Sequence, residues 1–474
     1  MAVTINGTDG IETNTDTGKI KVGASDDLQI YHDSGNSTIL NSTGVLTLKN
    51  TGSGKLQLMT QGAQDVEIKT NNELAIKCID DGATELYHNS EKKVETTATG
   101  ATVTGTLAAT AVTGDGSGLT GITSNPPGNR NLWINGDMSI AQRGTAAVTT
   151  NNFGTVDRMR LYYDNQGSTA PTQEQISLTS SDTGPWAKGF RKAYRVKTAS
   201  SGGAANANGQ INVQYIVEAQ DLATSGWDYT SASSKLTLSF WIRCNVANNV
   251  GIYSRLPDTS GNLNYTMETG DLTADTWTYV TKTIPGASHL TINHDNGIGW
   301  LMQFIPFYGT DYSDGSAVLD TWKSAGTIKP TTDNWITSNN AYMDITGVQL
   351  EVADSATEYE HRSIGEELVR CQRYFFQSDN FSTNCSQGPV WGSAYSATEM
   401  FAHVQYPQPM RAAPTWNVSD NSGTESAVHK IGNPDVTGVA VDRYGATSGC
   451  RVTKSNGFTS GAAYMFAYRV DAEL

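Results

Sequence analysis

Apolar and polar residues alternate over short stretches along most of the chain, which is the pattern of half-buried β-strands. In the first 110 residues such stretches recur with a spacing of 28 residues, as LQIYHDSGN (28–36), LQLMTQGAQ (56–64) and TELYHNSEK (84–92). A second predicted strand follows in each unit, as TGVLTLKN (43–50), NNELAIKC (71–78) and TGATVTGT (99–106). Repeats of this length normally stack and bury a continuous core.

Each repeat has too few apolar side chains to fold on its own. About four such side chains, at roughly 1.5–3 kcal/mol each when fully buried, do not offset an ordering cost of about 1–2 kcal/mol per residue over the whole unit. Strands this poor in apolar residues also leave unpaired edges, which natural proteins avoid. We therefore expect residues 1–125 to form a β-rich shaft by self-association. A disordered, Thr-rich leader is the alternative.

Beyond residue 126 the strand-like stretches are longer and are separated by Gly, Asn, Asp and Ser. They include KAYRVKTA (192–199), GQINVQYIVE (209–218), KLTLSFWIRC (235–244), TWTYVTKTI (276–284), GWLMQFIPFY (299–308) and YMDITGVQLEV (342–352). This spacing favours a β-sandwich or jelly roll over residues 126–355. In the third stretch Phe240 and its alternate neighbours should face the core, which leaves Trp241 near a surface or a neighbouring subunit.

Residues 356–474 predict one helix followed by a C-terminal β tip domain. Ser363-x-x-Glu366 is a capping box, in which each side chain binds a backbone N–H at the start of a helix. An apolar stripe then follows, formed by Ile364, Leu368, Cys371 and Phe375. We expect this stripe to pack on the preceding sandwich, and Glu366 to be a structural residue. The final stretch, GAAYMFAYRVDAEL (461–474), predicts a strand built into the fold.

Composition divides the chain at Pro126-Pro127 and limits its function. Residues 1–125 contain no Pro, Phe, Trp or Arg, whereas all ten tryptophans lie between Trp133 and Trp416. The formal net charge of −15 disfavours binding to nucleic acid. The five scattered cysteines are expected to be buried free thiols made in a reducing cytosol. We expect no secretory signal and no membrane-spanning segment.

Two groups of aromatic side chains are candidates for binding a sugar, which needs ring faces for stacking and polar groups for its hydroxyls. The first, in the loops of the sandwich, consists of Trp300, Tyr308, Asp311, Tyr312, Asp314 and Trp322. The second, in the tip domain, consists of Trp391, Tyr395, Tyr406 and Trp416. Core tryptophans and turn-forming aspartates are the alternative for the first group. Asp311-x-x-Asp314-Gly315 also suggests a calcium loop, although the full twelve-residue spacing is absent.

Six segments resemble bacteriophage tail-fibre proteins, notably those of marine phages. They are IYHDSGNSTI (30–39), GDGSGLTGI (114–122), NGDMSIAQRGT (135–145), ATEYEHRSIGEELVRCQRYF (356–375), MRAAPTW (410–416) and DAEL (471–474). The resemblance implies a homotrimeric fibre in the virion tail, with a shaft docked on a tail or adaptor protein at its N-terminus. It further implies distal domains that bind a host-surface glycan or outer-membrane receptor. Asp157-Arg158-Met159 departs from the Asp-Arg-Trp common in relatives, which leaves the role of that aromatic residue in doubt.

Two other functions remain open from the sequence. A structural virion component or adaptor without receptor contact is one, because aromatic residues also build oligomer interfaces. A polysaccharide depolymerase is the other, because two suitably spaced carboxylates would suffice for hydrolysis. No carboxylate pair stands out, and the H-E-x-x-H, G-x-S-x-G and P-loop motifs are absent. We therefore expect a protein without catalytic activity or a required cofactor.

Overall fold

The computed structural model describes residues 18–109, 130–167, 170–199, 203–261, 263–324, 327–329, 333–378, 381–385, 390–432, 434–443 and 448–474. The chain forms two compact units, Met1–Ile122 and Thr123–Leu474. The domain boundary predicted at residue 126 lies outside the described residues. The described chain is almost entirely antiparallel β-structure, which confirms the mainly-β prediction.

The N-terminal unit contains two antiparallel sheets in which consecutive strands pair. The first sheet has the strands β1 (Lys19–Val22), β2 (Leu28–Asp33) and β3 (Asn36–Asn41). The second has β4 (Val66–Thr70), β5 (Glu73–Cys78), β6 (Thr84–His88), β7 (Glu91–Thr97) and β8 (Gly100–Val103). Strands form at 28–33 and 84–88 as predicted, but the equivalent stretch 56–64 and the stretch 43–50 form none. A strand needs a neighbour to pair its backbone groups, and neither stretch pairs with another stretch of the described residues.

Apolar side chains line up across both sheets of this unit and remain exposed or half-buried. In the first sheet Ile20, Ile30 and Ile39 are direct cross-strand neighbours, here called the Ile30 row. In the second sheet the Leu86 row consists of Ile68, Ile76, Leu86, Val94 and Val103. Ile30 and Leu86 are 44% and 43% exposed. Each sheet therefore presents an apolar row that no other part of the described chain covers.

The sandwich is built from two sheets and begins the second unit. Its five-stranded sheet has the order β10 (Thr172–Ser177), β11 (Lys192–Lys197), β19 (Tyr342–Val352), β13 (Lys235–Cys244) and β16 (Thr278–Pro285). Its six-stranded sheet has the order β18 (Trp322–Lys323), β15 (Leu263–Leu272), β14 (Asn248–Leu256), β17 (Ile298–Tyr308), β12 (Gln210–Glu218) and β9 (Arg160–Asp164). Short helical segments are a 3₁₀ turn (Trp186–Lys188), α1 (Ala219–Ala223) and α2 (Asp333–Thr337).

One hydrophobic core fills the space between the two sheets. Phe240 of β13 and Phe304 of β17 meet edge to face, with ring centroids 4.9 Å apart. As predicted from the alternation, Leu236, Leu238, Phe240 and Ile242 are fully buried, and Trp241 lies on the opposite face of its sheet. All six predicted strands of this region form. The other five strands, β9, β10, β14, β15 and β18, were not predicted.

The tip domain is a nine-stranded sheet arranged around the last strand. Its strands are β20 (Phe375–Gln377), β21 (Val390–Ala394), β22 (Glu399–Gln405), β23 (Thr415–Ser419), β24 (Ala427–Lys430), β25 (Val436–Thr437), β26 (Ala440–Arg443), β27 (Ser448–Thr453) and β28 (Ala463–Asp471). Strand β28 pairs with β21 and β24 along its first half and with β20 and β23 along its second. The predicted C-terminal strand is thus central to this domain.

The predicted helix forms as α3 (Ile364–Gln372), with the complete Ser363/Glu366 capping box. Cys371 is fully buried, and it packs with Ile134 and Ile140 at the start of the sandwich region. The prediction is wrong for Ile364, which is 69% exposed. Glu367 is buried instead, because its carboxylate accepts the backbone N–H of Asn135 at 2.9 Å. A polar contact therefore determines which face of this helix turns inward.

All five cysteines are free, in agreement with the sequence. Four are buried as expected, but Cys78 is exposed, because strand β5 belongs to a sheet without a core. Within the described residues no helix combines the length and the apolar character needed to cross a membrane.

Candidate functional site

Trp300 and Trp322, from the first predicted group, belong to the core or its margin. Trp300 has no exposed surface, so the prediction that its ring meets a ligand is wrong. Strand β17 turns this ring inward, where it packs beside Trp227 and Trp322. The indole N–H of Trp322 donates to the carbonyl of Pro285 at 2.8 Å. Both rings therefore serve the sandwich itself.

The loop after β17 uses its polar groups to form turns. The carboxylate of Asp314 accepts the backbone N–H and the hydroxyl of Ser316, each at 2.8 Å, and these hydrogen bonds lower the pKa of Asp314. Tyr308 and Tyr312 pack on each other, with ring centroids 5.5 Å apart, while Asp311 is exposed beside them. No cluster of three or more His, Cys, Asp or Glu ligands occurs in the part of the chain that the structure describes. The calcium hypothesis thus gains no support.

In the tip domain, Tyr406 and Trp416 form an internal aromatic cluster. Tyr406 is 5% exposed, so its assignment to a receptor surface is wrong. Its hydroxyl accepts the indole N–H of Trp416 at 3.1 Å, and Trp416 stacks on Tyr468 with ring centroids 5.4 Å apart. Because the partners of Trp416 all lie inside the tip domain, this ring stabilises the fold.

Trp391 and Tyr395 differ from the other predicted residues because they are strongly exposed, at 55% and 74%. Trp391 lies in β21, near the middle of the sheet, and its direct neighbour on β28 is Met465. Tyr395 follows β21 in the tight turn to β22, where its backbone N–H donates to the carbonyl of Glu399 at 2.9 Å. The sheet thus holds one ring rigidly on its outer face and the turn holds the other.

Phe401 and His403 complete this surface and were not singled out in the sequence. Phe401 is 38% exposed and meets the edge of Tyr395, with ring centroids 6.2 Å apart. The alternation in EMFAHVQ (399–405) could have identified them, because Met400 and Val404 face the core and the residues between them face outward. Trp391, Phe401 and His403 line a shallow depression of about 540 Å³. We call Trp391, Tyr395, Phe401 and His403 the tip patch.

Charged residues lie beside the tip patch on the same sheet and satisfy one another. Arg451 of β27 is the cross-strand neighbour of Phe401. Its guanidinium binds the carboxylate of Asp442 at 2.6 Å and that of Glu399 at 3.4 Å. The patch therefore combines an apolar centre with a paired, half-exposed polar margin, which is the usual make-up of a recognition surface.

Four of the segments that resemble tail fibres contribute to the junction between sandwich and tip domain, namely 135–145, 356–375, 410–416 and 471–474. Segment 30–39 lies in the N-terminal unit, and 114–122 lies outside the described residues. Arg158 is 1% exposed, stacks on Tyr374 at 3.5 Å and forms an ion pair with Glu473 of the C-terminal DAEL. Arg143 binds Asp471 at 2.9 Å and stacks on Phe375 at 3.5 Å. These contacts therefore hold the sandwich and the tip domain together.

Burial shifts the protonation of one carboxyl group in this junction. Asp157 is completely buried and accepts the backbone N–H of Gln142 at 3.0 Å. Desolvation raises the pKa of Asp157 to about 6, even though Arg143, 3.8 Å away, favours the charged form. Met159, at the position where the tail-fibre proteins that the sequence resembles often have Trp, is fully buried in the sandwich core. It therefore fills interior space.

No protein-family model and no curated protein matches this chain. Among solved structures, the enzymatically active domain of tailspike protein 4 from bacteriophage CBA120 overlaps with 47% of this chain and 21% of its own, at 9% identity and a TM-score of 0.26. A family 61 carbohydrate-binding module in complex with β-1,4-galactotriose overlaps with 47% of this chain and 99% of its own, at 10% identity and a TM-score of 0.25. A family 11 carbohydrate-binding module from Clostridium thermocellum overlaps with 44% of this chain and 98% of its own, at 12% identity and a TM-score of 0.21. Overlaps this weak do not establish a shared function.

Proposed function

We propose that this chain is the subunit of a homotrimeric bacteriophage tail fibre that binds a glycan on the host surface without catalysis. The observation that carries the proposal is the tip patch. Trp391 and Tyr395 are held rigidly and exposed, whereas the other predicted rings of the tip domain are packed inside it. Exposed aromatic faces beside paired charges suit a sugar, which offers apolar C–H faces and hydroxyl groups together.

The exposed apolar rows of the N-terminal unit support self-association. Ile30 and Leu86 lie in rows that run across whole sheets, so covering them needs a surface as regular as the rows themselves. A second copy of the same unit provides such a surface. The stretches 43–50 and 56–64, which lack strand partners within the chain, would then find them between chains. The number three, the virion tail and docking on a tail or adaptor protein come from the tail-fibre resemblance.

The absence of catalysis is part of the proposal. Glycoside hydrolysis needs one carboxyl group free to donate a proton and a second free to act as base or nucleophile. Beside the tip patch, Glu399 and Asp442 are both bound to Arg451. Each carboxylate is thereby engaged in an ion pair. The margin of the patch is therefore suited to binding.

The test is binding of the purified full-length chain to an array of bacterial surface glycans. We expect binding to at least one glycan, and we expect Trp391→Ala to weaken it at least tenfold, because the variant removes the central ring of the patch. Val318→Ala is the matched control, since Val318 is 63% exposed and lies in the sandwich. Equal binding by the parent and Trp391→Ala would assign the receptor contact to another surface.

Several fibres acting together would make weak contacts sufficient. Three tip patches on one fibre bind the same cell at high effective concentration, so modest affinity at each patch yields durable attachment. We therefore expect the loss caused by Trp391→Ala to be larger on densely coated glycan surfaces than on sparse ones. Surface plasmon resonance at two coating densities measures this difference.

A further inference from the structure

A separate cavity of about 440 Å³ lies on the outer face of the five-stranded sheet of the sandwich. Its floor is the pair Trp241 and Tyr279, which are direct cross-strand neighbours on β13 and β16. Their ring centroids are 5.1 Å apart and their planes are inclined by 44°. An outer sheet face ordinarily carries short polar side chains, so two adjacent large rings there require an explanation.

The surrounding chain leaves room for these rings. Gly184 has a φ of +98°, and a Cβ atom there would approach the Trp241 ring within 2.7 Å. Gly347 has a φ of +63°, and a Cβ there would meet Phe190 at 2.6 Å. A side chain at either position would be strained and would collide with an aromatic ring. Gly184 thus leaves space for the Trp241 ring, and Gly347 leaves space for the Phe190 ring.

The wall of the cavity is the segment 356–361, which crosses the sheet between the sandwich and helix α3. Tyr359 of this segment meets Phe190 edge to face, with ring centroids 4.8 Å apart. His361 fixes the segment through its Nε2, which lies 2.9 Å from the carbonyl oxygen of Lys188. The wall is thus attached to the body of the sandwich at two points, and the cavity is preformed.

Polar groups without partners line the same space. The Ser239 hydroxyl, the Trp241 indole N–H and the Tyr279 hydroxyl form no hydrogen bond to any residue that the structure describes. Ser239 is only 2% exposed and lies in the cavity wall. An apolar occupant would strip water from these groups and leave them unpaired, which costs about 1–3 kcal/mol for each group. The occupant should therefore carry hydroxyl groups of its own.

The charge at the rim limits the occupant further. The carboxylate of Glu358 is 84% exposed at the rim, where Lys188 lies 3.2 Å away and offsets its charge. No cation in this lining is left over to pair with an acidic ligand. The chain as a whole also carries a formal net charge of −15. A neutral ligand is therefore favoured over an anionic one.

We propose that this cavity binds one neutral sugar residue of a glycan, stacked on Tyr279 and Trp241 and hydrogen-bonded to Ser239. Its volume lies within the range of about 300–1,000 Å³ typical of small-molecule sites. The cavity belongs to the sandwich, so binding here does not depend on contact at the tip patch. The chain then has two recognition sites of different kind: a preformed cavity for a single sugar ring and a flat patch for a larger surface.

The experiment titrates the full-length chain separately with glucose, galactose, mannose, N-acetylglucosamine and glucuronate, using saturation-transfer NMR and calorimetry. We expect at least one neutral sugar to bind with millimolar affinity and glucuronate to bind at least threefold more weakly. Tyr279→Ala should weaken neutral-sugar binding at least tenfold. Val318→Ala, which shortens an exposed side chain of the sandwich outside the cavity lining, should leave that binding unchanged. Thermal unfolding of both variants verifies that each is folded.

A second pair of variants keeps the test decisive if Tyr279→Ala is unstable. Ser239→Ala removes one hydrogen-bonding group and should weaken binding about three- to tenfold, while Ala356→Leu places a larger side chain in the lining and should abolish it. Failure of all four neutral sugars to bind would overturn the proposal, as would equal binding by the parent and Ala356→Leu. Tighter binding of glucuronate than of the neutral sugars would overturn the proposal that the ligand is neutral. Loss of glycan-array binding in Trp391→Ala with intact sugar titrations would separate the two sites.

Discussion

In the N-terminal unit the apolar rows of the β-sheets face outward, whereas in the sandwich the equivalent rows of two sheets face each other. Leu86 is 43% exposed and Leu238 is fully buried, although both alternate with polar neighbours in a strand. In residues 18–109 the single residue that counts as buried is Glu85, a charged side chain bonded to Lys92 at 3.0 Å. Alternation therefore specifies that a strand has an apolar face. Whether a single chain can bury that face depends on whether the same chain provides a second sheet to cover it.

The largest expected effect tests whether the outward apolar rows of the N-terminal unit are surfaces for self-association. We expect the double variant Ile30→Asp/Leu86→Asp to lower the solution mass of the full-length protein from that of three chains to that of one, because two charged residues would be buried between copies. Sedimentation velocity measures the mass. Val318→Asp, which places the same charge at an exposed apolar position of the sandwich, should remain a trimer. Trimers of the double variant would place the association surface in the distal unit.

The core of the distal unit should depend only on its own chain. We expect Trp300→Ala to lower the free energy of unfolding by about 3–5 kcal/mol, because it opens a cavity among fully buried side chains. Denaturant unfolding followed by tryptophan fluorescence measures this, since all ten tryptophans lie in the distal unit. The loss should be the same at low and high protein concentration. A loss that varied with concentration would mean that the core of the sandwich is completed by other copies.

The buried junction of the distal unit predicts a dependence on pH that exposed charges of the N-terminal unit would not show. The pKa of Asp157 is about 6 in the folded protein and near 3.8 when unfolded. Between these values the folded state holds a proton that the unfolded state has lost, so this group lowers stability as pH rises from about 4 to about 6. We expect Asp157→Asn to gain stability relative to the parent over that interval, by up to about 3 kcal/mol. Urea unfolding of both proteins at pH 4, 5, 6 and 7 measures the difference, and a constant difference would contradict the assignment.

The smallest expected effect concerns the capping box of helix α3, which was predicted from the sequence. We expect Ser363→Ala to lower the stability of the distal unit by about 1 kcal/mol, because it leaves a backbone N–H at the start of α3 without its partner. Ser455→Ala, at an exposed position outside the helix, should change stability by less than about 0.5 kcal/mol. Chemical unfolding of the two variants side by side decides between them. Equal effects would mean that tertiary packing of Cys371, and not the cap, holds this helix.

Elements with a strong local pattern were predicted well from the sequence. The strands at 235–244 and 342–352 and the capped helix that begins at Ile364 all form where alternation or capping residues require them. Strands at 43–50 and 56–64 do not form, and neither stretch has a pairing partner in the part of the chain that the structure describes. Local pattern is thus sufficient where the partner strand lies in the same chain.

The site was predicted only in part, and the errors have a common cause. Trp300 and Tyr406 belong to residue types that often bind sugars, but the fold buries both side chains in a core. Trp391 and Tyr395 belong to the same residue types and face outward, so they remain candidates. The cavity at Trp241 and Tyr279 brings together strands about 40 residues apart in the chain, and its wall comes from 356–361. Periodicity within one stretch carries no information about such a meeting.

The sequence by itself determined that this protein is mainly β, that a part poor in aromatic residues precedes an aromatic-rich part, and that a capped helix follows the sandwich strands. These features follow from side-chain alternation and backbone capping, which act over a few residues. The tertiary structure alone decided which aromatic rings reach solvent, which glycines leave space for a cavity and which carboxyl group is fully buried. Those outcomes depend on contacts between segments far apart in the chain, and burial is a property of the whole assembly of strands around each side chain.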